Sequence, residues 1–250
     1  MSRWLLALAL VGCGRLGFDP AAGPGTPDAP GAVAWQLVQS AGRLQDSLPV
    51  TLGAGHLVVV AVDVQNGGTA SAVSDGSDCN TYVEIPAARA QAQVPGSSLN
   101  DNLQVFYAKN TCAHAGTITV TPASDVVGIA AWEVSGMRTD NPVDTMAVLT
   151  NQPRSVLPLG PAITTSEAGE FVVSAAIVDN NICETASGKN SPPPCQTHPG
   201  NEFTNDQALD GNGYAHLTDP HAAAGVHQAA WDQLSSGVYC ATAVAFRPAR

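Results

Sequence analysis

Glu133 is the one charged residue in the apolar stretch "VVGIAAWEVSG", residues 126–136. A carboxyl in such a row either moves protons or holds backbone. Glycosidic-bond hydrolysis takes two carboxyls about 5 to 9.5 Å apart, and no strand of this sequence pairs two glutamates. There is also no G-x-S-x-G elbow, no H-E-x-x-H and no phosphate-cradling glycine loop. The residues therefore predict no catalytic group and no cofactor, with Glu133 bonding turn backbone near Ser135 and Gly136.

The thiols and imidazoles come next. Cys79, Cys112, Cys183, Cys195 and Cys240 follow an early Cys13; none stands two residues from another, which argues against zinc. An odd set of five leaves one thiol unpaired. Cys183 with Cys195, closing "CETASGKNSPPPC", and Cys79 with Cys112, joining two turns at one end, are the disulfide candidates, and Cys240 the free thiol. His216, His221 and His227 stand five and six apart across turns holding Pro220 and Gly225. That spacing matches no ligand pattern and predicts three unrelated surface histidines. Asp75, Asp78 and Asn80, then Asp140, Asn141 and Asp144, then Asp179, Asn180 and Asn181 crowd turns, where such side chains bond nearby backbone. None follows a calcium-loop spacing, and no metal site is expected. Among the aromatics, Trp35, Tyr82, Tyr107, Tyr214 and Trp231 could present ring faces to sugars, although strands ordinarily use them for packing. With Glu133, Trp35 and Trp231 are the candidate ligand-face residues.

The elements that must position these groups read as strands. Charged residues are 12% of the chain, and Gly and Pro together number 42 of 250. Short β-branched runs broken by Gly, Asn, Asp and Pro recur, and long amphipathic helices are absent. In the last run, Val238, Cys240, Thr242, Val244 and Phe246 alternate with Tyr239, Ala241, Ala243 and Ala245, so the first set is the predicted core face. In 126–136, Val126, Ala130, Trp132 and Val134 share the face opposite Glu133. "AGHLVVVAV" at 54–62 is echoed by "AGEFVVSAA" at 168–176, and "HAGTITV" at 114–120 by "AAGVHQA" at 223–229. The fold class expected is all-β: a jelly-roll-like two-sheet antiparallel sandwich over residues 34–250, one domain with a weak internal twofold repeat, its sheets contributed by both halves.

The start of the chain gives an address. Arg3 precedes a nine-residue apolar run, the order of a secretory signal and far short of the roughly 20 residues that span a bilayer. Leu10-Val11-Gly12-Cys13 resembles the lipobox of bacterial lipoproteins. The resemblance implies a signal peptide over residues 1–12, cleavage before Cys13 and lipidation of its thiol. Gly14 in the next position leans toward the outer membrane or cell surface. Residues 14–33, with four prolines and five glycines, form a solvated tether. Removing residues 1–12 leaves nine basic and 21 acidic side chains, a charge near −12. Such a chain offers no electrostatic footprint for nucleic acid; the membrane partner is reached through the lipid.

The segments "VSDGSDCNTYVEI", "VFYAKNTCAHAGTITV", "AAWEVSGMRTDNPVD", "ITTSEAGEFVVSAA" and "ATAVAFRP" resemble successive motifs of an uncharacterised β-sandwich domain of secreted bacterial proteins. The likeness covers roughly residues 45–248. It is carried by Glu133, Ser135, Gly136, Asn141, Pro142 and Asp144, and departs at the inserts 77–80 and 183–213. It implies a fold and an extracellular setting, with no established reaction. The function expected is a lipid-anchored envelope module, binding or structural, with a polymer, glycan or envelope protein as ligand. The alternative is a lipid-anchored hydrolase of an envelope or extracellular polymer with Glu133 as acid/base. The insert 183–213, almost without apolar periodicity, is expected to lie at one end and carry specificity.

Overall fold

The computed structural model describes residues 34–93, 99–122, 124–179, 201–233 and 236–250. Apolar, β-branched runs become strands, and the turns between them are made where Asn or Asp accepts a left-handed backbone. Asn66, Asn110, Asp125, Asn141, Asn151 and Asp210 all have φ between 42° and 69°. These are the non-glycine types that tolerate that region best. Among the described residues there is no α-helix.

The first half supplies β1 (Gln36–Arg43), β2 (Ser47–Leu52), β3 (Leu57–Val64), β4 (Ala72–Ser74), β5 (Val83–Glu84), β6 (Ala90–Gln93), β7 (Asn100–Ala108), β8 (His114–Thr121) and β9 (Val126–Ser135). The second supplies β10 (Val143–Ser155), β11 (Ile163–Thr164), β12 (Phe171–Val178), β13 (Phe203–Leu209), β14 (Asn212–Leu217), β15 (Val226–His227) and β16 (Gly237–Phe246). One large sheet runs β1-β9-β3-β7-β5, with β6 also on β7; the other runs β10-β16-β12-β14-β13. Two small sheets, β2-β8-β4 and β11-β15, complete the set, and every pairing is antiparallel. The structure is an all-β sandwich of several antiparallel sheets.

Packing follows parity along the strands. In β3, Leu57, Val59 and Ala61 enter a central core between the large sheets with Trp132, Phe171, Tyr214, Cys240 and Phe246. The alternate residues Val58, Val60, Val62 and Val64 pack outward with Leu48, Leu52, Ile118 and Val120 of the β2-β8-β4 layer. In β16, Val238, Cys240, Val244 and Phe246 face the central core as expected. Tyr239, Ala241, Ala243 and Ala245 are buried too, in a second outer cluster with Ile163, Ala229 and Trp231. Both faces of the middle strands are thus dry, which is why β3, β12 and β16 read as continuous apolar runs rather than as alternations.

Three expectations need correction. Both halves contribute to one sandwich around a shared core, as expected, but each large sheet is drawn wholly from one half, without the interleaving of a jelly roll's two Greek keys. Within each half the first strand pairs with the last, Gln36 opposite Ser135 and Val143 opposite Phe246, so each sheet closes on its own half of the chain. Ranked in chain order among the five strands of its main path, each large sheet runs first, fifth, second, fourth, third, with β6 set aside. Val126 does not share the Trp132 face: it packs with the outer cluster, because a register shift at Asp63/Val64 skips a residue of β9. Residues 203–209 and 212–213 of the presumed loop insert are β13 and the start of β14, so only its earlier part, residues 183–200, lies outside the described residues.

Candidate functional site

Glu133 sits near the end of β9 with 2% exposure. Its Oε1 accepts the Gly53 backbone N–H at 2.6 Å and meets His56 Nδ1 at 2.6 Å, while Oε2 accepts Gln39 Nε2 at 2.6 Å. The turn that it holds is therefore the one between β2 and β3, not the one at Ser135 and Gly136. The adjoining void is about 10 Å³ and walled by Val50, Leu52, Val58 and Ile118 among others, room for no more than a water. The carboxyl ties β1, the β2–β3 turn and β9 together. With three donors on its oxygens and no space for a sugar, it is arranged as a clasp.

Trp35 and Trp231 are core residues, at 4% and 0% exposure. The Trp35 ring packs edge-on to Phe171 at 5.0 Å. Trp231 donates from Nε1 to Asn205 Oδ1 at 3.0 Å and lies so close over Gly213 that a Cβ there would stand 2.6 Å from its Nε1. Neither offers a face to a ligand. Tyr214 is fully buried, and Tyr82 is half-buried with its hydroxyl 3.3 Å from Asp75 Oδ2. Tyr107 remains: it is only partly covered and packs edge-on to Phe246 at 6.0 Å.

Cys79 and Cys112 form a disulfide, joining the loop after β4 to the β7–β8 turn. Cys240 is free and buried, and burial pushes its thiol well up. Cys183 and Cys195, like Asn180 and Asn181, fall outside the described residues, as does Cys13. The acidic turns are spent on their own surroundings. Asp75 accepts Ser77 N–H, Asn80 Nδ2 and Tyr82 Oη. Asp144 accepts Arg247 and the Ser166 hydroxyl, and the Asn141 carbonyl accepts Arg247. Asp179 meets Arg154 at 3.3 Å. Asn141 and Asp144 of "DNPVD" thus anchor Arg247 of "AFRP". Among the described residues no three His, Cys, Asp or Glu side chains are placed to hold one ion.

Of the three histidines expected on the surface, only His221 is there. His216 shares the inward face of β14 with Tyr214 and pairs through Nδ1 with Asp206 at 2.8 Å, whose Oδ2 also accepts Trp132 Nε1 at 2.7 Å. His227 is buried between Glu202 and the Ala223 carbonyl. A second buried polar group escaped the sequence reading. Asp63, with no exposure, accepts Asn212 Nδ2 from the opposite sheet at 2.9 Å. Burial first, then Asp101 and Asp210, push its carboxyl well above the usual range. Its parity with Leu57, Val59 and Ala61 was the available signal.

The open concavities lie elsewhere. One cleft of about 430 Å³ is lined by Cys79, Thr81, Val83, Tyr107, Lys109 and Asn110, and by Thr139. A second, also about 430 Å³, is lined by Met137, Arg138, Thr139, Asp140, Ala249 and Arg250. Thr139 belongs to both, so the clefts adjoin. Each falls within the roughly 300–1,000 Å³ range of small-ligand sites. Comparison of the chain with protein-family models, with curated proteins and with solved structures returned no match.

Proposed function

We propose that this protein is a lipid-anchored module of the bacterial cell envelope, tethered through Cys13 and the Pro/Gly-rich residues 14–33, that binds a ligand without transforming it. The observation that carries the reading is the contrast between two places. The isolated carboxylate of the sequence, Glu133, is buried and filled by Gly53, His56 and Gln39. The accessible concavity is lined instead by hydroxyl, amide, aromatic and cationic groups with Asp140 as its one acid, a set suited to recognising a ligand and lacking the second carboxyl that glycosidic hydrolysis takes. The lipobox and the tether support the location: two or three acyl chains, at about 0.8 kcal/mol per buried methylene, hold a protein where one holds only marginally.

The test has two parts. Membrane fractionation of Cys13→Ser is expected to show unprocessed or released protein with unchanged β-sheet circular dichroism; equal retention of the variant refutes the anchor. A glycan and cell-wall binding screen is expected to give ligands that elute intact. Release of shorter products, lost in Glu133→Gln, would instead establish a hydrolase.

A further inference from the structure

We infer that the two adjoining clefts form one groove for an acidic oligosaccharide, with Lys109, Arg138 and Arg250 meeting its carboxylates and Tyr107 and Val83 meeting a sugar-ring face. This rests on the binding-module reading and gives it a ligand class. Continuity of the groove has two supports. Thr139 lines both lobes. Tyr107, in the first lobe, packs on Phe246, and the chain runs on from Phe246 through Arg247 and Pro248 to Ala249 and Arg250 in the second.

Charge supplies the class. The chain carries a formal −11, yet three of its seven described Lys and Arg residues line this groove. Lys109 is exposed, with no ion pair among the described residues. Arg138 and Arg250 share Glu167 at 3.2 and 2.8 Å, with Arg247 at 3.8 Å on the same carboxylate, and Arg250 is 71% exposed. Three guanidiniums on one carboxylate leave donors free for a second, and Arg binds carboxylates through paired N–H groups. Asp140 is the one acid on the walls. Against Asp140 and the paired Glu167, these three cations leave a surplus of one positive charge on an otherwise acidic chain, with Lys109 and Arg250 open to water and Arg138 20% exposed.

The apolar part argues for sugar over a small inorganic anion. Val83 is 48% exposed beside the partly open Tyr107, and hydroxyls and amides of Thr81, Thr139 and Asn110 surround them. An aromatic and aliphatic platform ringed by short polar groups matches a pyranose, which has an apolar C–H face and a polar edge. A nucleic acid needs a longer cationic track than three residues in an otherwise acidic surface.

The test is calorimetric titration of the full-length protein in detergent with trigalacturonate, using galactotriose as the neutral control. Trigalacturonate is expected to bind with Kd at or below about 1 mM and to weaken several-fold as salt rises from low to about 0.5 M, since the pairs are solvent-exposed. Lys109→Glu and Arg250→Ala should each weaken binding about tenfold or more. Arg154→Ala, whose partners are Asp179 and the Ser236 carbonyl, should bind as the parent does. No heat with trigalacturonate, equal binding of the neutral sugar, or full binding by Lys109→Glu overturns the proposal. Equal neutral binding would leave the module reading standing; cleavage of the trisaccharide, seen by chromatography, would end that reading while leaving the groove.

Discussion

At the residue scale, the buried carboxylates divide into those that are filled and those that carry protons. Glu133 belongs to the first kind. Replacing it by Ala would strand the Gly53 N–H, the His56 imidazole and the Gln39 amide in the neighbourhood of a dry layer, and losing one partner of a buried charged set costs several times what the set contributes net. Glu133→Ala is expected to destabilise by about 2–4 kcal/mol in chemical denaturation, and Glu133→Gln, which keeps one acceptor, by less. Equal stability of Glu133→Ala and the parent would show that the clasp contributes nothing.

At the element scale, the loop after β4 and the β7–β8 turn have little apolar content and are joined by the Cys79–Cys112 disulfide. Asn80 adds to the link, its Oδ1 accepting the Cys112 backbone N–H at 2.8 Å. The bridge closes a loop across a sequence separation of 33 residues, worth about 3–4 kcal/mol in the chain-entropy account. Cys79→Ser/Cys112→Ser should lose about that much and leave the β-sheet circular dichroism intact, because β3, β7 and β9 are held by their own ladders. It should also weaken any ligand binding in the Tyr107 lobe, whose wall includes Cys79. Undiminished stability of the reduced protein would show that the two loops are already held by their hydrogen bonds.

At the scale of the whole molecule, the two large sheets meet across a core that has an ionisable end. Asp63 and Asp101 from one sheet lie near Asp210 and Tyr214 from the other, and burial holds Asp63 protonated well above the usual range. Burial, partly offset by a backbone bond from Asn100, pushes Asp101 up to about 6. Burial and then the neighbouring Asp144 push Glu170 up to about 7. All three bind protons more tightly folded than unfolded, so they stabilise the fold more in acid than at neutral pH. The full effect holds only below the unfolded carboxyl values of about 4; above them the Asp101 and Glu170 contributions decline progressively and are gone once pH has risen through their folded values of about 6 and about 7. Thermal melting is expected at a higher temperature at pH 5 than at pH 8. Glu170→Gln should flatten that slope while its amide oxygen still accepts the Ser166 and Glu167 N–H groups. A melting temperature independent of pH in that window would contradict the assignment.

The sequence by itself determined the all-β class, the turn positions, the face parity of β16, the free Cys240 and the Cys79–Cys112 pairing. Each of these is local chemistry: β-branched runs, Asx residues able to turn left-handed, the period of two along a strand, and two cysteines in turns. Layering lay beyond it. Whether the second face of β16 or β3 meets water or another sheet depends on what the chain brings from a hundred residues away, so His216 and His227 read as surface groups and prove buried. Glu133's partners are likewise non-local, since Gln39, Gly53 and His56 come from 77 to 94 residues earlier. The groove is the extreme case. Tyr107 and Lys109 meet Thr139 in one lobe and Arg250 meets it in the other only when the ends of β7, β9 and β16 come to one end of the sandwich, and no spacing along the chain marks a site made that way.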